Sequence, residues 1–170
     1  GQYVDDVAVA NEVFVAFVRS PHAHARIVSI DAGAAKTMPG VVAVLTGTDL
    51  KADGICPLPD GDGLKRADGK PMCGAPHDAL AIETARYVGE PVAAVFAGTR
   101  DQAEDAAEQV MVDYKELPAV VTIEAATAKG APLLWPGAPG NIAAQMEFGK
   151  KDLCDAAFAR ARHITKLSLT

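Results

Sequence analysis

The stretch PVAAVFAGTRDQAEDAAEQVM, residues 91–111, decides the fold of this chain. Residues 92–97 form a continuous apolar run whose length suits a strand buried on both faces. Thr99 and Gln102 follow with the spacing of a capping box, in which the hydroxyl and the amide each satisfy a free N–H group at the helix start. The helix beyond them has one apolar stripe, made of Ala103, Ala106, Ala107, Val110 and Met111. A buried strand followed by an amphipathic helix predicts an α+β or α/β domain, with a mixed sheet and covering helices.

Further strands are expected on both sides of this stretch. Residues 13–18 (VFVAFV) and 41–46 (VVAVLT) are apolar runs that predict buried strands, and residues 25–30 (ARIVSI) are rich in β-branched side chains. Residues 112–114 extend out of the helix as another short strand. The chain therefore supplies enough strands for a sheet that the helix covers.

Two short helices complete this part of the chain. Asp31 is placed to cap a helix over residues 32–38, which Pro39 and Gly40 end. A second short helix is expected over residues 122–129. We interpret residues 1–129 as one domain.

Residues 51–80 interrupt this pattern with a segment that contains five glycines and four prolines. That density prevents regular secondary structure. A loop of this length inside a compact domain is uncommon and is functional, mobile or ordered by a partner. We expect it to be poorly ordered in the isolated chain and ordered by other parts of a larger protein.

A domain boundary is expected at the segment GAPLLWPGAPG, which contains three glycines and three prolines. We interpret residues 130–141 as a linker and residues 142–170 as the truncated start of a second domain. That start consists of a predicted strand, helix and strand in sequence order. Basic side chains outnumber acidic ones over residues 150–166, whereas the chain as a whole is acidic.

The predicted elements of this second part follow from its pattern. Residues 142–148 alternate as a half-buried strand does, and residues 163–170 predict another strand. Asp152 and Asp155 are placed to cap the helix between them. The buried face of that helix is expected to comprise Cys154, Ala157, Phe158 and Ala161.

Composition narrows the classes of protein to which the chain belongs. It has 170 residues and a net charge of −6, and this acidic balance argues against a nucleic-acid partner. No run approaches the roughly 20 apolar residues of a membrane helix, so no membrane insertion is expected. Three scattered cysteines form no disulfide framework, which favours a reducing compartment, the cytoplasm. The chain starts at Gly1 and stops at Thr170 inside a predicted strand, so we expect a piece of a longer polypeptide.

Two histidines are the first candidate for a metal site. His22 and His24 lie on one face of an extended segment, an arrangement that suits zinc. The sequence nearby contains no third ligand of suitable type. We therefore interpret both histidines as side chains that flank the turn at Pro21 and are hydrogen-bonded or solvated.

Ligand motifs for calcium and phosphate are also incomplete. Asp60 and Asp62 are similar to the start of a calcium loop, but Leu64 and Lys65 occupy positions that need an oxygen ligand and a glycine. The sequence contains neither GxGxxG nor GxxxxGK[ST]. It therefore predicts no site for either ligand.

The loop cysteines Cys56 and Cys73 share the long loop with His77. A cysteine nucleophile and a histidine base must be in spatial contact, so a small thiol-dependent enzyme that uses Cys73 and His77 is one hypothesis. Ordinary loop thiols are the simpler interpretation, and Cys154 is expected to act as a small buried hydrophobe. The sequence thus predicts no catalytic, cofactor-binding or metal-binding residue.

Several segments, taken in order, nevertheless resemble one family. They are residues 3–6 (YVDD), 19–27 (RSPHAHARI), 39–47 (PGVVAVLTG), 88–93 (VGEPVA), 112–118 (VDYKELP), 141–142 (NI) and 156–158 (AAF). Together they resemble the large, molybdopterin-binding subunit of the xanthine dehydrogenase, aldehyde oxidase and carbon monoxide dehydrogenase family. More narrowly, residues 1–129 are similar to its N-terminal α/β hammerhead domain, and the residues after the linker to the entry of the molybdopterin-binding region.

The resemblance implies a parent enzyme that hydroxylates its substrate with oxygen from water. A molybdopterin-bound molybdenum would take two electrons and pass them through iron–sulfur clusters and FAD on other domains or subunits. The family's cofactor and catalytic motifs lie downstream of the matching region, so the resemblance assigns none of them to this chain. It implies a scaffolding and docking domain whose partners are the rest of the large subunit and the iron–sulfur and flavin parts.

The substrate of the parent enzyme stays open among carbon monoxide, aldehydes and purines. A different class also stays open, namely a free-standing interaction module that binds a partner protein through residues 51–80.

Overall fold

Strands and helices alternate along the first part of the computed structural model, which describes residues 1–3, 6–58, 63–66, 68–73, 76–146 and 148–168. The strands are β1 (Phe14–Arg19), β2 (Ala25–Asp31), β3 (Val41–Thr46), β4 (Thr84–Ala85), β5 (Pro91–Ala97) and β6 (Met111–Glu116). The helices are α1 (Gly33–Lys36), α2 (Gly47–Ala52), α3 (Arg100–Ala107), α4 (Ile123–Thr127) and α5 (Lys151–Arg160), with a 3₁₀ turn at Pro139–Asn141. The predicted combination of sheet and covering helices is confirmed.

The strands form two three-stranded antiparallel sheets where one mixed sheet was expected. In the first, which we call the β5 sheet, β5 lies between β1 and β3. In the second, the β2 sheet, β2 lies between β4 and β6. The chain leaves the β5 sheet next to Pro21, which lacks the N–H donor that a ladder needs. Strand β2 therefore starts a sheet of its own instead of extending the first.

The core lies between one face of the β5 sheet and the helices α1 and α3. Its buried residues are Ala32, Ala35, Val44, Ala93, Val95, Ala106 and Val110. The predicted stripe of α3 is confirmed at Ala103 and Ala106, which are buried. Met111 is instead 70% exposed, because β6 begins at this residue and turns its side chain away from the core.

Only the central strand of the β5 sheet is buried on both faces as the sequence predicts. Exposure alternates along β1, where Val15 and Phe17 remain 44% and 46% exposed. In β3, Val42 is exposed where the register with β5 shifts. The physical reason is position, since β1 and β3 are the edges of the sheet and the helices cover one face.

The start of α3 confirms half of the predicted capping box. The Gln102 N–H donates to the Thr99 hydroxyl at 3.2 Å. The Gln102 amide, however, does not return to Thr99 but lies against Gly40, where an added Cβ would stand 2.1 Å from the amide oxygen. Because Gly40 has no Cβ, it leaves the space that this amide fills. Its φ of +81° is a left-handed conformation that favours glycine in the turn after α1.

The two helices before the long loop differ from the prediction in length and number. The Asp31 carboxylate accepts the N–H of Gly33, the first residue of α1, at 2.8 Å, but Ala32 and not Asp31 is the N-cap residue, and α1 is shorter than residues 32–38. Helix α2 is absent from the sequence prediction. It starts with a complete capping box, in which the Asp49 N–H donates to the Thr46 hydroxyl and the Asp49 carboxylate accepts the Thr46 N–H at 2.7 Å. A threonine followed three residues later by an acid is the signal that sequence reasoning missed.

The long loop is irregular after α2, as its glycines and prolines predict. Within its described residues, two isolated bridges, Leu58–His77 and Lys65–Pro71, are the strand-like pairings. Asp60 and Asp62, the calcium-like pair, lie outside the described residues. The degree of order of this loop in isolation stays a prediction.

Helix α5 forms where a helix is expected, but its predicted caps and burial are wrong. Neither Asp152 nor Asp155 caps it, and Asp155 pairs with Lys151. All of its residues are exposed, so no described element covers the face of Cys154, Ala157, Phe158 and Ala161. An apolar helix face is buried only where a second surface meets it, which sequence pattern does not guarantee.

The two strands predicted beside α5 do not form in the described residues. Residues 142–146 bond to the long loop instead, since the Cys73 N–H donates to the Ala143 carbonyl at 3.0 Å and the Gln145 N–H to the Lys65 carbonyl at 2.9 Å. Residues 163–168 are irregular, and residues 169–170 lie outside the described part. The domain boundary at residues 130–141 stays a prediction.

Gly40→Ala should destabilise the domain more than Gly54→Ala. Both glycines have a positive φ, +81° and +78°, a conformation that costs an alanine about 1–2 kcal/mol. A Cβ at Gly40 would also meet the Gln102 amide, whereas a Cβ at Gly54 would have no atom of a described residue within 4 Å apart from its chain neighbours. We expect Gly40→Ala to lower the free energy of unfolding in urea by about 1 kcal/mol more than Gly54→Ala. Adding Gln102→Ala should recover that difference, and equal losses in the two single variants would contradict the packing role of Gly40.

The Thr46–Asp49 capping box should stabilise the domain only while Asp49 is ionised. Hydrogen bonds from Thr46 hold the pKa of Asp49 below its ordinary value of 3.8. Because the folded pKa is lowered, the stabilisation is present above the unfolded pKa and is lost as pH falls through the folded one. The difference in urea midpoint between the wild type and Asp49→Asn should thus be constant above about pH 5 and shrink below about pH 4. A difference that persists unchanged at about pH 2 would rule out this role for the carboxylate.

Candidate functional site

Three of the segments that carry the family resemblance meet between the two sheets. The N–H of Ser20 donates to the Glu90 carbonyl at 2.9 Å, and its carbonyl accepts the Gly89 N–H at 2.8 Å. The Arg19 guanidinium also donates to the Gly89 carbonyl at 2.8 Å. We call the cluster at this place the motif junction, and it comprises Ser20, His22, His24, Glu90 and Tyr114. It contains all the buried polar side chains of the described residues, namely Ser20, His24 and Glu90.

The two histidines of the motif junction have separate partners. His24 is 9% exposed, and its Nδ1 donates to the Pro118 carbonyl at 2.7 Å. His22 places Nδ1 3.4 Å from the Glu116 carboxylate and stands edge-on to the ring of Tyr114. In the described parts of the chain, no cluster of three or more His, Cys, Asp or Glu side chains could hold a metal ion. The structure thus places the His24 imidazole on a distant carbonyl, and the His22 imidazole beside a carboxylate and an aromatic ring.

Tyr114 contributes a buried hydroxyl to the junction. Burial raises the pKa of Tyr114, and the nearby Ser20 opposes that rise. The Ser20 hydroxyl itself accepts the His22 N–H at 3.1 Å. The Tyr114 hydroxyl is buried and has no hydrogen bond to any described residue. Because its pKa is raised, the Tyr114 hydroxyl is a weaker acid than an exposed tyrosine and stays protonated at neutral pH.

Glu90 links the junction to Arg86 and, through it, to Trp135. The Glu90 carboxylate accepts the backbone N–H of Arg86. The Arg86 guanidinium lies 3.7 Å from the centre of the Trp135 ring and donates to the carbonyls of Leu134 and Thr84, both at 3.1 Å. Burial lowers the pKa of Arg86, while Glu90 and other nearby carboxylates oppose this shift. A charged guanidinium therefore holds residues 134–135 on the body of the domain.

Asn141 fixes the other end of the same segment. Its side-chain oxygen accepts the Leu134 N–H at 2.9 Å, and its side-chain nitrogen donates to the carbonyls of Ala126 and Pro132 at 2.8 and 3.0 Å. Asn141 has a φ of +57°, a left-handed conformation that asparagine tolerates better than most residues. Residues 130–141, interpreted from the sequence as a linker, are thus held in their middle by Arg86 and at their C-terminal end by the bond of Asn141 to Ala126.

A cavity of about 310 Å³ lies beside Trp135. Its apolar wall includes Leu50, Ile55, Leu80 and Ile82, and its charged groups are Lys51, Asp78, Glu83 and Arg86. The two cations are balanced by the two carboxylates, and Arg86 is already engaged by Trp135. The formal charges of the cavity lining therefore balance.

The thiol hypothesis is not supported by the placement of its two residues. Cys73 is buried, and its sulfur accepts a hydrogen bond from Arg66 at 3.2 Å. His77 instead packs towards Trp135, with ring centres 6.1 Å apart. Cys56 is exposed in the same loop. The structure thus brings Cys73 to an arginine and His77 to an aromatic ring, and not to each other.

The sequence did not predict that Arg86 contacts Trp135. It pointed to Asn141 only as part of a segment that carries the family resemblance. Trp135 is the single tryptophan of the chain, and it lies in the Gly/Pro-rich segment between residues 130 and 140. A large aromatic residue within a stretch otherwise typical of a linker is a signal that the segment packs against something. No comparable local signal identifies Arg86, because 48 residues separate it from Leu134.

Comparison with known proteins identifies a matching family model and several related large chains. The family model described as "Aldehyde oxidase and xanthine dehydrogenase, a/b hammerhead domain" matches residues 1–118. The carbon monoxide dehydrogenase large chain of Afipia carboxidovorans is 40% identical over 178 residues, which cover 98% of this chain and 21% of that relative. The nicotine 6-hydroxylase large subunit of Paenarthrobacter nicotinovorans is 36% identical and is matched over 96% of this chain and 19% of its own length.

A solved structure, that of the Cu,Mo-CO dehydrogenase in its carbon monoxide reduced state, resembles this fold with a TM-score of 0.74 at 39% sequence identity. The match covers 96% of this chain and 21% of that one. The chain thus spans about a fifth of the length of these relatives. Because the family model covers more than half of the chain and the folds agree, this chain belongs to the aldehyde oxidase and xanthine dehydrogenase α/β hammerhead domain family.

Proposed function

We propose that the chain is the N-terminal scaffolding and docking domain of the large chain of a molybdenum-dependent hydroxylase, and that it carries no catalytic residue itself. The parent enzyme would hydroxylate an aldehyde or an N-heterocycle, or oxidise carbon monoxide, with oxygen from water. Iron–sulfur and flavin groups on other domains or subunits would take the electrons. The names of relatives that match nearly the whole chain support this class of parent.

The hydrogen bonds of the buried motif residues are the observation that supports a structural role. Ser20, His24 and Glu90 are buried and hydrogen-bonded. The Ser20 hydroxyl bonds to the backbone of His22, the His24 imidazole to the Pro118 carbonyl and the Glu90 carboxylate to the Arg86 N–H. Burying a polar group without a hydrogen bond costs several kcal/mol, roughly 2–7, so such partners are needed for folding. The backbone bonds of Ser20 join the ends of β1 and β5 in one sheet, and the His24 bond joins the ends of β2 and β6 in the other, which supports a structural role for these residues.

The described residues do not fit a molybdopterin group. That group carries phosphate, for which a protein supplies a helix start, a glycine-rich loop or a net positive pocket. In the cavity beside Trp135, Asp78 and Glu83 oppose an anion, while Lys51 and Arg86 only balance them. We therefore assign the cofactor to the part of the parent enzyme outside this chain and derive no chemical step through it.

The cellular compartment of the parent enzyme is part of the same proposal. No helix among the described residues is long and apolar enough to cross a membrane. Cys56, Cys73 and Cys154 are free thiols in the structure. Free thiols persist in a reducing compartment, so we propose the cytoplasm as the site of the parent enzyme. The alternative of a free-standing interaction module that uses residues 51–80 stays a prediction, and no described contact favours it.

The purified 170-residue chain should hold far less than one molybdenum or zinc atom per molecule, because its histidines, cysteines and carboxylates are spread over separate partners. Elemental analysis by mass spectrometry after gel filtration measures this directly. The full-length large chain, expressed in a host that makes the molybdenum cofactor, serves as the positive control. A stoichiometric metal in the isolated chain, or no molybdenum in the full-length protein, would contradict the proposal.

Arg86→Ala should release residues 134–135 from the body of the domain. The variant loses a cation–π contact and two hydrogen bonds, so the free energy of unfolding should fall by about 2 kcal/mol. Trp135 is the only tryptophan, so a red shift of the intrinsic fluorescence reports this site alone. Arg26→Ala, at an exposed position on β2, is the matched control and should leave the spectrum unchanged. An unshifted spectrum for Arg86→Ala would show that the stacking does not hold the segment.

A further inference from the structure

The outer edge of β1 is open. In the β5 sheet β1 pairs with β5 on one side, and its other side faces a groove of about 800 Å³. The groove lies between β1 and residues 6–9, with Arg100 and Glu104 of α3 at its border. In an antiparallel strand every second residue directs its N–H and C=O away from the partner. The groove is thus bordered by backbone groups of β1 that the sheet does not use.

Apolar side chains of β1 and of the N-terminal segment line this groove together with a similar share of polar groups. Val7, Val9, Val13, Val15 and Phe17 all line it and are between 44% and 62% exposed. No lysine or proline interrupts β1, and its one irregularity lies at its end, between Val18 and Arg19. Proteins usually protect an open apolar edge with such residues, with a bulge or with a covering element. An edge of this kind is therefore suited to pair with another strand.

The neighbouring residues of the chain do not fill the groove themselves. The Asp6 N–H donates to the Tyr3 carbonyl, and the Glu12 N–H to the Val9 carbonyl. The Val9 N–H donates to the Glu12 carboxylate at 3.3 Å. These bonds all lie within the N-terminal segment, and none of the described backbone bonds joins it to β1. The segment lines the groove without completing the ladder.

The charges around the groove indicate what kind of segment it accepts. Three carboxylates, those of Asp6, Glu12 and Glu104, stand beside one guanidinium, that of Arg100. At the far end, the Arg19 guanidinium lies 5.4 Å from the centre of the Phe17 ring. The groove border is thus acidic along most of its length, which favours basic side chains on an occupant.

We propose that an extended, apolar segment with Lys or Arg at its flanks adds to β1 as a further strand of the β5 sheet. It would come from the part of the large chain outside these 170 residues, which amounts to about four-fifths of the length of the relatives. The inference therefore rests on the proposed function. Backbone pairing would supply the affinity, and the groove side chains would select alternate apolar residues of the occupant.

Hydrogen–deuterium exchange of the full-length large chain tests this proposal. In residues 13–18, the amides that face the groove should exchange at least about a hundredfold more slowly than unstructured amides. Val15→Lys in the full-length protein should raise their exchange at least about tenfold, because a lysine in the groove opposes a basic, apolar strand. Val121→Lys makes the same change at an exposed valine outside the groove and should leave these rates unaltered.

Two results would overturn the proposal. The first is fast exchange of every second amide of β1 in the full-length protein. The second is protection that disappears on dilution, which would identify a second copy of the chain as the occupant. Molybdenum is measured in the same samples. Protected amides without molybdenum would refute the proposed function. Unprotected amides with molybdenum would refute only the strand addition.

Discussion

Burial of β5 on both faces is the constraint on which the rest of the domain depends. Its sequence, PVAAVFA, contains no charged side chain, and both of its backbone edges are paired because it lies between β1 and β3. Other segments hold its two ends: Ser20 bonds to Glu90 just before it, and the Gly98 N–H donates to the Gly40 carbonyl at 3.0 Å just after it. A buried backbone N–H or C=O group without a partner costs free energy of folding. The burial of β5 therefore requires the hydrogen bonds at its two ends.

The polar residues between the sheets follow from the same constraint. Where the chain passes from the β5 sheet to the β2 sheet, backbone groups are withdrawn from water outside a regular ladder. Ser20, His24 and Glu90 supply or accept hydrogen bonds at this place. The bonds of Ser20 to residues 89–90 and of His24 to Pro118 join segments that are distant in sequence, and they bring three segments of the family resemblance together.

The domain cannot cover all the apolar surface that its sequence provides. Val15 and Phe17 in β1, and Cys154 and Phe158 in α5, are exposed although their patterns predict burial. The sequence prediction assumed a cover for these side chains that the described residues do not supply. A domain of this kind is suited to work as part of a larger chain, where neighbouring segments provide the missing surface.

The sequence by itself determined the local elements whose signals are contained in a few neighbouring residues. β3 and β5, the Thr99 cap and the buried alanines of α3 are of this kind, because apolar runs, caps and helical stripes act over one or two turns. The same reasoning predicted that the motif residues have folding roles. It also had the signal for α2, in Thr46 and Asp49, without using it.

Only the tertiary structure decided which faces are covered and which distant residues meet. The stacking of Arg86 on Trp135, the three hydrogen bonds of the Asn141 side chain and the fit of Gln102 against Gly40 each join residues from separate segments. Such contacts depend on how the chain closes its loops, and a single sequence has no local pattern that records this. For the same reason the Gly/Pro-rich residues 130–141 have the composition of a linker, although Arg86 and Asn141 fasten them to the folded domain.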